Sequence, residues 1–175
     1  MLSRLPGSSS QYALTMPGNL LLITISTGKK STGDKGYSMA KFFIDTNILV
    51  YANDKRDPDK QRQAVDLISG LMKSGEGVIS TQVLQEYANV AVGKLGQSEE
   101  VVLRQLHLLE KIELVTQSSS MIRRAVEIRK TYGINFWDAC IVSNAESAEC
   151  DAIYSEDLNT GQFYSGIRII NPFVE

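Results

Sequence analysis

From residue 41 onward, short apolar runs of strand length alternate with longer stretches that repeat apolar residues at helical spacing. The predicted strands are 41–45, 78–80, 112–116, 152–154 and 167–170, and the predicted helices are 47–53, 59–73, 81–95, 99–111, 119–132 and 136–148. Strands separated by helices form parallel crossovers. The pattern therefore predicts an α/β fold, a three-layer α/β/α sandwich with a mainly parallel central sheet.

The first 38 residues have a different character. They are rich in Ser, Gly, Thr and Lys and show no helical period. We interpret 1–38 as an N-terminal extension, either a tag or a disordered segment, ahead of one domain spanning 39–175. The short apolar run 20–25 leaves a second interpretation open, in which it docks on the domain as an added strand.

Composition narrows the class of protein. A hydrophobic content of 43% and a charged content of 22% are typical of soluble globular chains, and no apolar run reaches membrane-spanning length. The net charge of −2 means that nucleic acid would need a local basic patch. Cys140 and Cys150 lack the spacing of a zinc or redox motif, which favours a reduced, cytoplasmic protein.

Four acidic residues follow or adjoin strand ends. Asp45 ends the first predicted strand, and Asp157 comes shortly after the strand 152–154. Glu86 borders the core-facing stripe of helix 81–95, and Asp138 lies in the first turn of helix 136–148. Because strand-to-helix junctions of a parallel sheet open at its carboxyl end, we expect these acids to converge there.

Clustered carboxylates repel one another unless a cation offsets their charge. Oxygen ligands favour Mg²⁺ or Mn²⁺, and without His or Cys nearby zinc is disfavoured. Two such ions about 3.5–4 Å apart would clamp a phosphodiester during in-line attack. Thr46, Asn47 and Ser155 are suitable as supporting or phosphate-contacting groups.

Each acid also has a structural alternative. Asp45 could cap the following helix, Asp138 could pair with Asn135 in a capping box, Asp157 could close an Asx-turn, and Glu86 could face solvent. Taken singly, each acid is better explained in this way. Taken together, four unrelated coincidences would have to point to one place, so we favour a shared site. Glu156 is an alternative to Asp157 as the fourth acid.

The same residues resemble a known family. Phe43-Ile44-Asp45-Thr46-Asn47-Ile48, the helical Glu86, Phe136-Trp137-Asp138-Ala139 and Tyr154-Ser155-Glu156-Asp157-Leu158 resemble the motifs of PIN-domain ribonucleases. The similarity is greatest to the toxin component of bacterial type II toxin–antitoxin pairs, and it covers residues 41 to about 173. The chain departs from the family pattern in its Glu156-Asp157 pair, where a single Asp is typical.

The resemblance implies a Mg²⁺- or Mn²⁺-dependent endoribonuclease within 39–175. Asp45, Glu86, Asp138 and Asp157 would form its catalytic, metal-binding quartet, with Thr46, Asn47 and Ser155 as neighbours. It further implies an RNA substrate, a homodimer, and a small antitoxin that inserts a chain segment near the acids.

Basic and aromatic residues near the first and third motifs are further candidates. Lys55, Arg56, Lys60 and Arg62 could hold RNA phosphates, with a solvated surface as the alternative. Trp137 could stack on a base, although we expect it to pack in the core.

Two other functions share some of these sequence features. One is a catalytically silent RNA- or protein-binding module on the same fold, which the acidic pI leaves open. The other is an aspartyl-phosphate phosphatase, which needs a second acid two residues after the first, where this chain has Asn47.

Overall fold

A computed structural model describes the strands at 11–16 and 19–24 and residues 39–174. The chain divides into two compact units, residues 1–38 and 39–175, and each is described by itself.

In the first unit, β1 (Gln11–Met16) and β2 (Asn19–Thr24) pair as an antiparallel ladder. Gln11 lies opposite Thr24, and Met16 lies opposite Asn19. The apolar run 20–25 thus overlaps a strand that pairs with its own sequence neighbour. The interpretation of 1–38 as an extension to the domain stays a prediction.

The second unit is built on a six-stranded sheet. Its strands are β3 (Phe42–Ile44), β4 (Gly77–Ser80), β5 (Glu113–Val115), β6 (Ala152–Tyr154), β7 (Phe163–Tyr164) and β8 (Ile167–Ile170). They lie in the order β5-β4-β3-β6-β8-β7, and every pair is parallel except β7 with β8. The predicted α/β fold with a mainly parallel sheet is confirmed.

Six helices accompany this sheet in residues 39–174. They are α1 (Thr46–Ala52), α2 (Pro58–Ser74), α3 (Thr81–Gly93), α4 (Glu99–Leu109), α5 (Ser119–Tyr132) and α6 (Phe136–Ser147). None of the helices in this part of the chain is long and apolar enough to cross a membrane.

The central strands are buried on both faces. Phe43, Ile44, Val78, Ile79 and Ile153 are fully inaccessible to solvent. Strands covered on both faces read as continuous apolar runs rather than alternating ones, which is why three or four residues sufficed to predict them. β5 was predicted as 112–116 and is two residues shorter, and β7 was not predicted because two residues carry no measurable period.

Local signals set the helix ends. Asp57 caps α2 through the backbone N–H of Lys60, and Pro58 occupies the first turn. Gly75 and Gly133 end α2 and α5 with φ values of 76° and 69°, in the left-handed region that favours glycine. Ser80 closes β4 and also caps α3, so strand and helix join without a loop. This direct junction places α3 at the carboxyl end of the sheet.

Candidate metal-dependent site

Asp45 stands where the central strand β3 turns into α1. Its backbone N–H bonds the carbonyl of Tyr154, 3.0 Å away on β6, and its side chain caps α1 through the N–H of Thr46 at 2.7 Å. The Ser155 hydroxyl donates to the same carboxylate at 2.7 Å. Asp45 is only 7% exposed, so the helix-capping role and a site at the sheet's carboxyl end coexist in one residue.

Burial dominates the charge state of Asp45. It raises the pKa of this carboxyl from 3.8 to about 7, against the hydrogen bonds from Ser155 and Thr46, which lower it. The negative charges of Asp157 and Glu86 raise the pKa further. The pKa of Asp45 therefore depends on the charges of two other predicted site acids.

Glu86 is joined to Asp45 through Thr46. The Thr46 hydroxyl donates to Glu86 Oε2 at 2.8 Å, while its backbone N–H bonds Asp45. The second Glu86 oxygen accepts from Gln82 Nε2 at 3.0 Å. Glu86 is therefore half-buried and fully engaged, in contrast to the solvated helix residue of the alternative interpretation.

Asp157 is held by the same amide that contacts Asp45. Asn47 Nδ2 lies 3.1 Å from Asp157 Oδ2 and 3.2 Å from Asp45 Oδ2. The turn is fixed by Ser155, whose hydroxyl oxygen accepts from the backbone N–H groups of Asp157 and Leu158 at 3.2 and 3.3 Å. The Asp157 side chain is left exposed and directed to Asn47 rather than closing the turn itself.

Asp138 lies in the first turn of α6. Its backbone N–H is capped by Asn135 Oδ1 at 3.0 Å, and the Asn135 amide donates to its carboxylate. Burial raises the pKa of Asp138, the Asn135 hydrogen bond lowers it, and the charges of Asp157 and Glu86 raise it. The four acids thus form one electrostatically coupled group, which we call the acid cluster: Asp45, Glu86, Asp138 and Asp157.

The acid cluster provides only oxygen atoms as possible metal ligands, and Mg²⁺ and Mn²⁺ prefer oxygen ligands. Among the residues that the structure describes, however, no three His, Cys, Asp or Glu side chains are arranged to hold a metal ion. Each carboxylate instead accepts a hydrogen bond from a neutral side-chain amide. Asn47 donates to Asp45 and Asp157, Gln82 donates to Glu86, and Asn135 donates to Asp138.

Glu156 has a different environment from Asp157. Its carboxylate pairs with Lys60 Nζ at 2.5 Å, and the Tyr51 hydroxyl also bonds it. Burial raises the pKa of Glu156, but the hydrogen bonds from Lys60 and Tyr51 and the charge of Lys60 outweigh this effect, so its pKa lies below the usual value. The ring of Tyr51 also contacts Lys60, whose Nζ lies 4.5 Å from the ring centroid.

The candidate RNA-binding residues lie mostly in ion pairs. Arg56 pairs with Asp54 at 2.6 Å, Arg62 with Asp59 at 2.5 Å, and Lys60 with Glu156. Lys55 is exposed. RNA binding by these residues stays a prediction, and it would require phosphates to compete with carboxylates already in place.

Trp137 differs from our expectation. We expected it in the core, but its side chain is 62% exposed, beside Asp138 at the start of α6. Phe136, its neighbour, takes the place against the core, and the two rings meet nearly edge-on at 5.5 Å between centroids. Two successive residues of a helix cannot face the same side, which is why only one of them packs inward.

Sequence reasoning predicted Asn47 as a supporting group but missed Gln82 as the amide partner of Glu86. Gln82 precedes Glu86 by four residues, a spacing that places both on one helix face. Asn135 was considered only as a cap. The i,i+4 spacing of Gln82 and Glu86 was the one sequence signal for their contact. The contact of Asn144 with Gln82 spans 62 residues and has no sequence signal of this kind.

The sequence was then compared with known proteins. Residues 42–164 match the family model described as PIN domain. The chain belongs to the PIN domain family. The matched range contains every member of the acid cluster and all strands of the six-stranded sheet except β8, which follows it. A search of curated proteins gave no significant match.

Solved structures share the PIN fold of this chain. Mycobacterium tuberculosis VapC20, titled a sarcin-ricin loop cleaving toxin, is 17% identical with a TM-score of 0.57, over 73% of this chain and 99% of that one. A toxin–antitoxin complex from Klebsiella pneumoniae is 22% identical with a TM-score of 0.57, over 77% and 98%. DNA-bound VapBC from Salmonella typhimurium is 18% identical with a TM-score of 0.58, over 77% and 99%.

Proposed function

We propose that this PIN-domain chain is a Mg²⁺- or Mn²⁺-dependent endoribonuclease that hydrolyses RNA phosphodiester bonds. The observation that carries the proposal is the acid cluster, in which four carboxylates come from separate elements at one end of the sheet. Within residues 39–174 the side chains that donate hydrogen bonds to them are all neutral. A divalent cation would neutralise the negative charge of this group.

Asp45, Asp138 and Asp157, with Glu86, would hold the metal. When bound, such a metal activates water and stabilises the leaving oxygen of a phosphodiester. The protein's own part is orientation. Thr46 ties Asp45 to Glu86, and Ser155 fixes both Asp45 and the turn that carries Asp157.

The substrate class proposed is unpaired RNA. An exposed indole adjoins Asp138, and aromatic faces of this kind stack on unstacked bases. The Asn47 amide donates hydrogen bonds to two members of the acid cluster. Once a cation neutralises those acids, this amide could donate to a phosphate oxygen instead.

We further propose that the chain is the toxin of a toxin–antitoxin pair, acting as a homodimer in the cytoplasm. Support comes from the PIN family and from two solved structures with the same fold, which are a toxin–antitoxin complex and a VapBC complex. Expression of the chain alone should arrest bacterial growth, and co-expression of a small protein encoded by the adjoining reading frame should relieve the arrest. Growth unaffected by the chain would argue against a toxin.

The enzymatic proposal is tested by incubating purified protein with single-stranded RNA and Mn²⁺. Wild type should cleave, while Asp45→Asn and Asp138→Asn should not, because each removes a charged oxygen ligand with little change in shape. Far-UV circular dichroism should show that both variants are folded. Wild-type protein that cleaves no single-stranded RNA in Mn²⁺ would overturn the assignment.

A second candidate function is a catalytically silent RNA- or protein-binding module. It is favoured by the acids' engagement with amides and by the lack, within residues 39–174, of three acidic or other ligand side chains arranged for one ion. RNA binding that is equal in EDTA and in Mn²⁺, with no cleavage in either, would favour this function over the first.

A further inference from the structure

The buried side-chain amide of Gln82 contacts Glu86. Gln82 is one helical turn earlier on α3 and is only 3% exposed. Its Nε2 donates to Glu86 Oε1 at 3.0 Å and to the backbone carbonyl of Trp137 at 3.2 Å. Gln82 therefore joins one member of the acid cluster to the first turn of α6, which carries Asp138.

A second buried amide fixes the direction of the first. Asn144 of α6 is fully buried, and its Nδ2 donates to Gln82 Oε1 and to Ser80 Oγ, both at 3.2 Å. A carbonyl and a carboxylate only accept, so Gln82 must turn Nε2 toward Trp137 and Glu86. Its Oε1 then faces Asn144, which must present its own N–H group. The chemistry of the end partners thus determines both amide orientations.

This arrangement leaves one acceptor unserved. Asn144 Oδ1 is buried and receives no hydrogen bond from any residue within 39–174. A buried polar atom without a partner is costly and calls for an explanation, since an apolar side chain of similar size would avoid the loss. Holding Gln82 in one direction is such an explanation.

We propose that Gln82 and Asn144 are positioning residues that hold Glu86 in place for a divalent cation. The inference rests on the proposed metal-dependent function and extends it to two residues outside the acid cluster. Groups that hydrogen-bond a metal ligand fix its orientation, and their removal weakens metal binding about 10–100-fold. Asn144 acts on Glu86 only through Gln82.

The test measures Mn²⁺ binding by isothermal titration calorimetry and by the electron paramagnetic resonance signal of free Mn²⁺. Gln82→Met keeps an unbranched side chain of similar length and should weaken Mn²⁺ binding about tenfold. Asn144→Leu leaves Gln82 in place but frees its direction, so it should weaken binding less, about threefold.

A matched control separates positioning from packing. Gln105 is also a buried helical glutamine, 5% exposed, and its amide bonds Tyr87 and Asn53. Gln105→Met should lower the melting temperature as Gln82→Met does, but leave the dissociation constant for Mn²⁺ unchanged. In a Glu86→Gln background, Gln82→Met should cause no further loss of Mn²⁺ affinity.

Three results would overturn the inference in distinguishable ways. If wild type binds Mn²⁺ and both variants bind it equally well, the positioning role alone is wrong. If Gln82→Met weakens binding equally with Glu86 intact or replaced, Gln82 does not act through Glu86. If wild type binds no Mn²⁺, both the metal site and this inference are wrong. Binding of Mn²⁺ without RNA cleavage would count against the proposed nuclease while the positioning result still stands on its own measurement.

Discussion

Glu156 and Asp157 are neighbours in sequence and opposites in environment. Glu156 meets a cation, Lys60, and a phenol, Tyr51, and the pKa of its carboxyl falls below the usual value despite burial. Asp157 meets the neutral amide of Asn47 and adds its charge to that felt by Asp45 and Asp138. Within residues 39–174, Glu156 has a cationic partner and Asp157 has only the neutral amide of Asn47 as its side-chain partner.

This difference indicates which acids are free to take an outside cation. A carboxylate in an ion pair loses its partner if it turns to a metal, whereas a carboxylate on an amide gives up only a neutral hydrogen bond. The contrast favours Asp157 over Glu156 as our proposed ligand. The predictions below set the two acids against each other.

The largest expected difference is in RNA cleavage. Asp157→Asn should reduce the rate about 100-fold or more, since a lost metal ligand removes several kcal/mol of transition-state stabilisation. Glu156→Gln should change the rate less than about threefold, because this acid's charge is already matched by Lys60. Single-turnover cleavage of a labelled RNA in Mn²⁺ measures both. Equal losses in the two variants would erase the distinction.

The next effect is stabilisation by metal. Mn²⁺ at 100 times its dissociation constant should stabilise wild type by about 2.7 kcal/mol, which corresponds to a melting-temperature rise of about 5–10 °C. Glu156→Gln should retain this rise, while Asp157→Asn and Asp45→Asn should lose most of it. Thermal melts with Mn²⁺ and with EDTA give the comparison, and a rise preserved in Asp45→Asn would place the ion elsewhere.

The pH dependence of stability without metal should have opposite signs for the carboxyls of Asp45 and Glu156. Asp45 has a folded-state pKa of about 7, above its unfolded value of 3.8, so the folded state holds the extra proton and loses stability as pH rises through this window. Glu156 has a lowered pKa, so its contribution is present above its unfolded value and lost as pH falls below it.

The free energy of unfolding of Asp45→Asn should therefore rise relative to wild type between about pH 4 and pH 7, by on the order of 1–3 kcal/mol. Glu156→Gln should be less stable than wild type at pH 7, and this deficit should shrink as the solution is acidified. Urea unfolding in EDTA, extended from pH 7 down to about pH 3, measures both slopes, because the Glu156 slope lies below the unfolded-state pKa of that residue. Parallel slopes for the two variants would contradict the assignment of their environments.

The smallest expected effect concerns Lys60. Lys60→Met should destabilise the protein by about 0.5–1 kcal/mol, because the pair with Glu156 is only partly buried. The loss should diminish at high salt, as for other accessible ion pairs. Urea unfolding at 0.05 and 1 M NaCl checks this, and the matched variant Arg62→Met, at the more exposed pair with Asp59, should show a smaller loss.

Much of this architecture could be predicted because buried parallel strands are continuous apolar runs, and because strand ends place residues such as Asp45 in three dimensions. Glu86 could be placed from its position beside the apolar stripe of α3. Asn47 and Ser155 could be predicted as supporting groups because they lie close to Asp45 and Asp157 in sequence. The contacts of Gln82 could not be predicted, since they depend on side-chain directions and on a partner, Asn144, that lies 62 residues away. Trp137 was misplaced because aromatic character alone does not tell which of two adjacent rings turns inward.

Asn47 has one further consequence. Its amide nitrogen carries two hydrogens but lies within reach of three acceptors: Asp45, Ser155 and Asp157. Two hydrogens cannot form linear bonds to all three acceptors at once, although Asp45 and Ser155 also accept from other donors. If the proposed cation binds either carboxylate, the amide of Asn47 would be released to donate to a phosphate oxygen, so Asn47 would occupy the position of the ion before the ion binds.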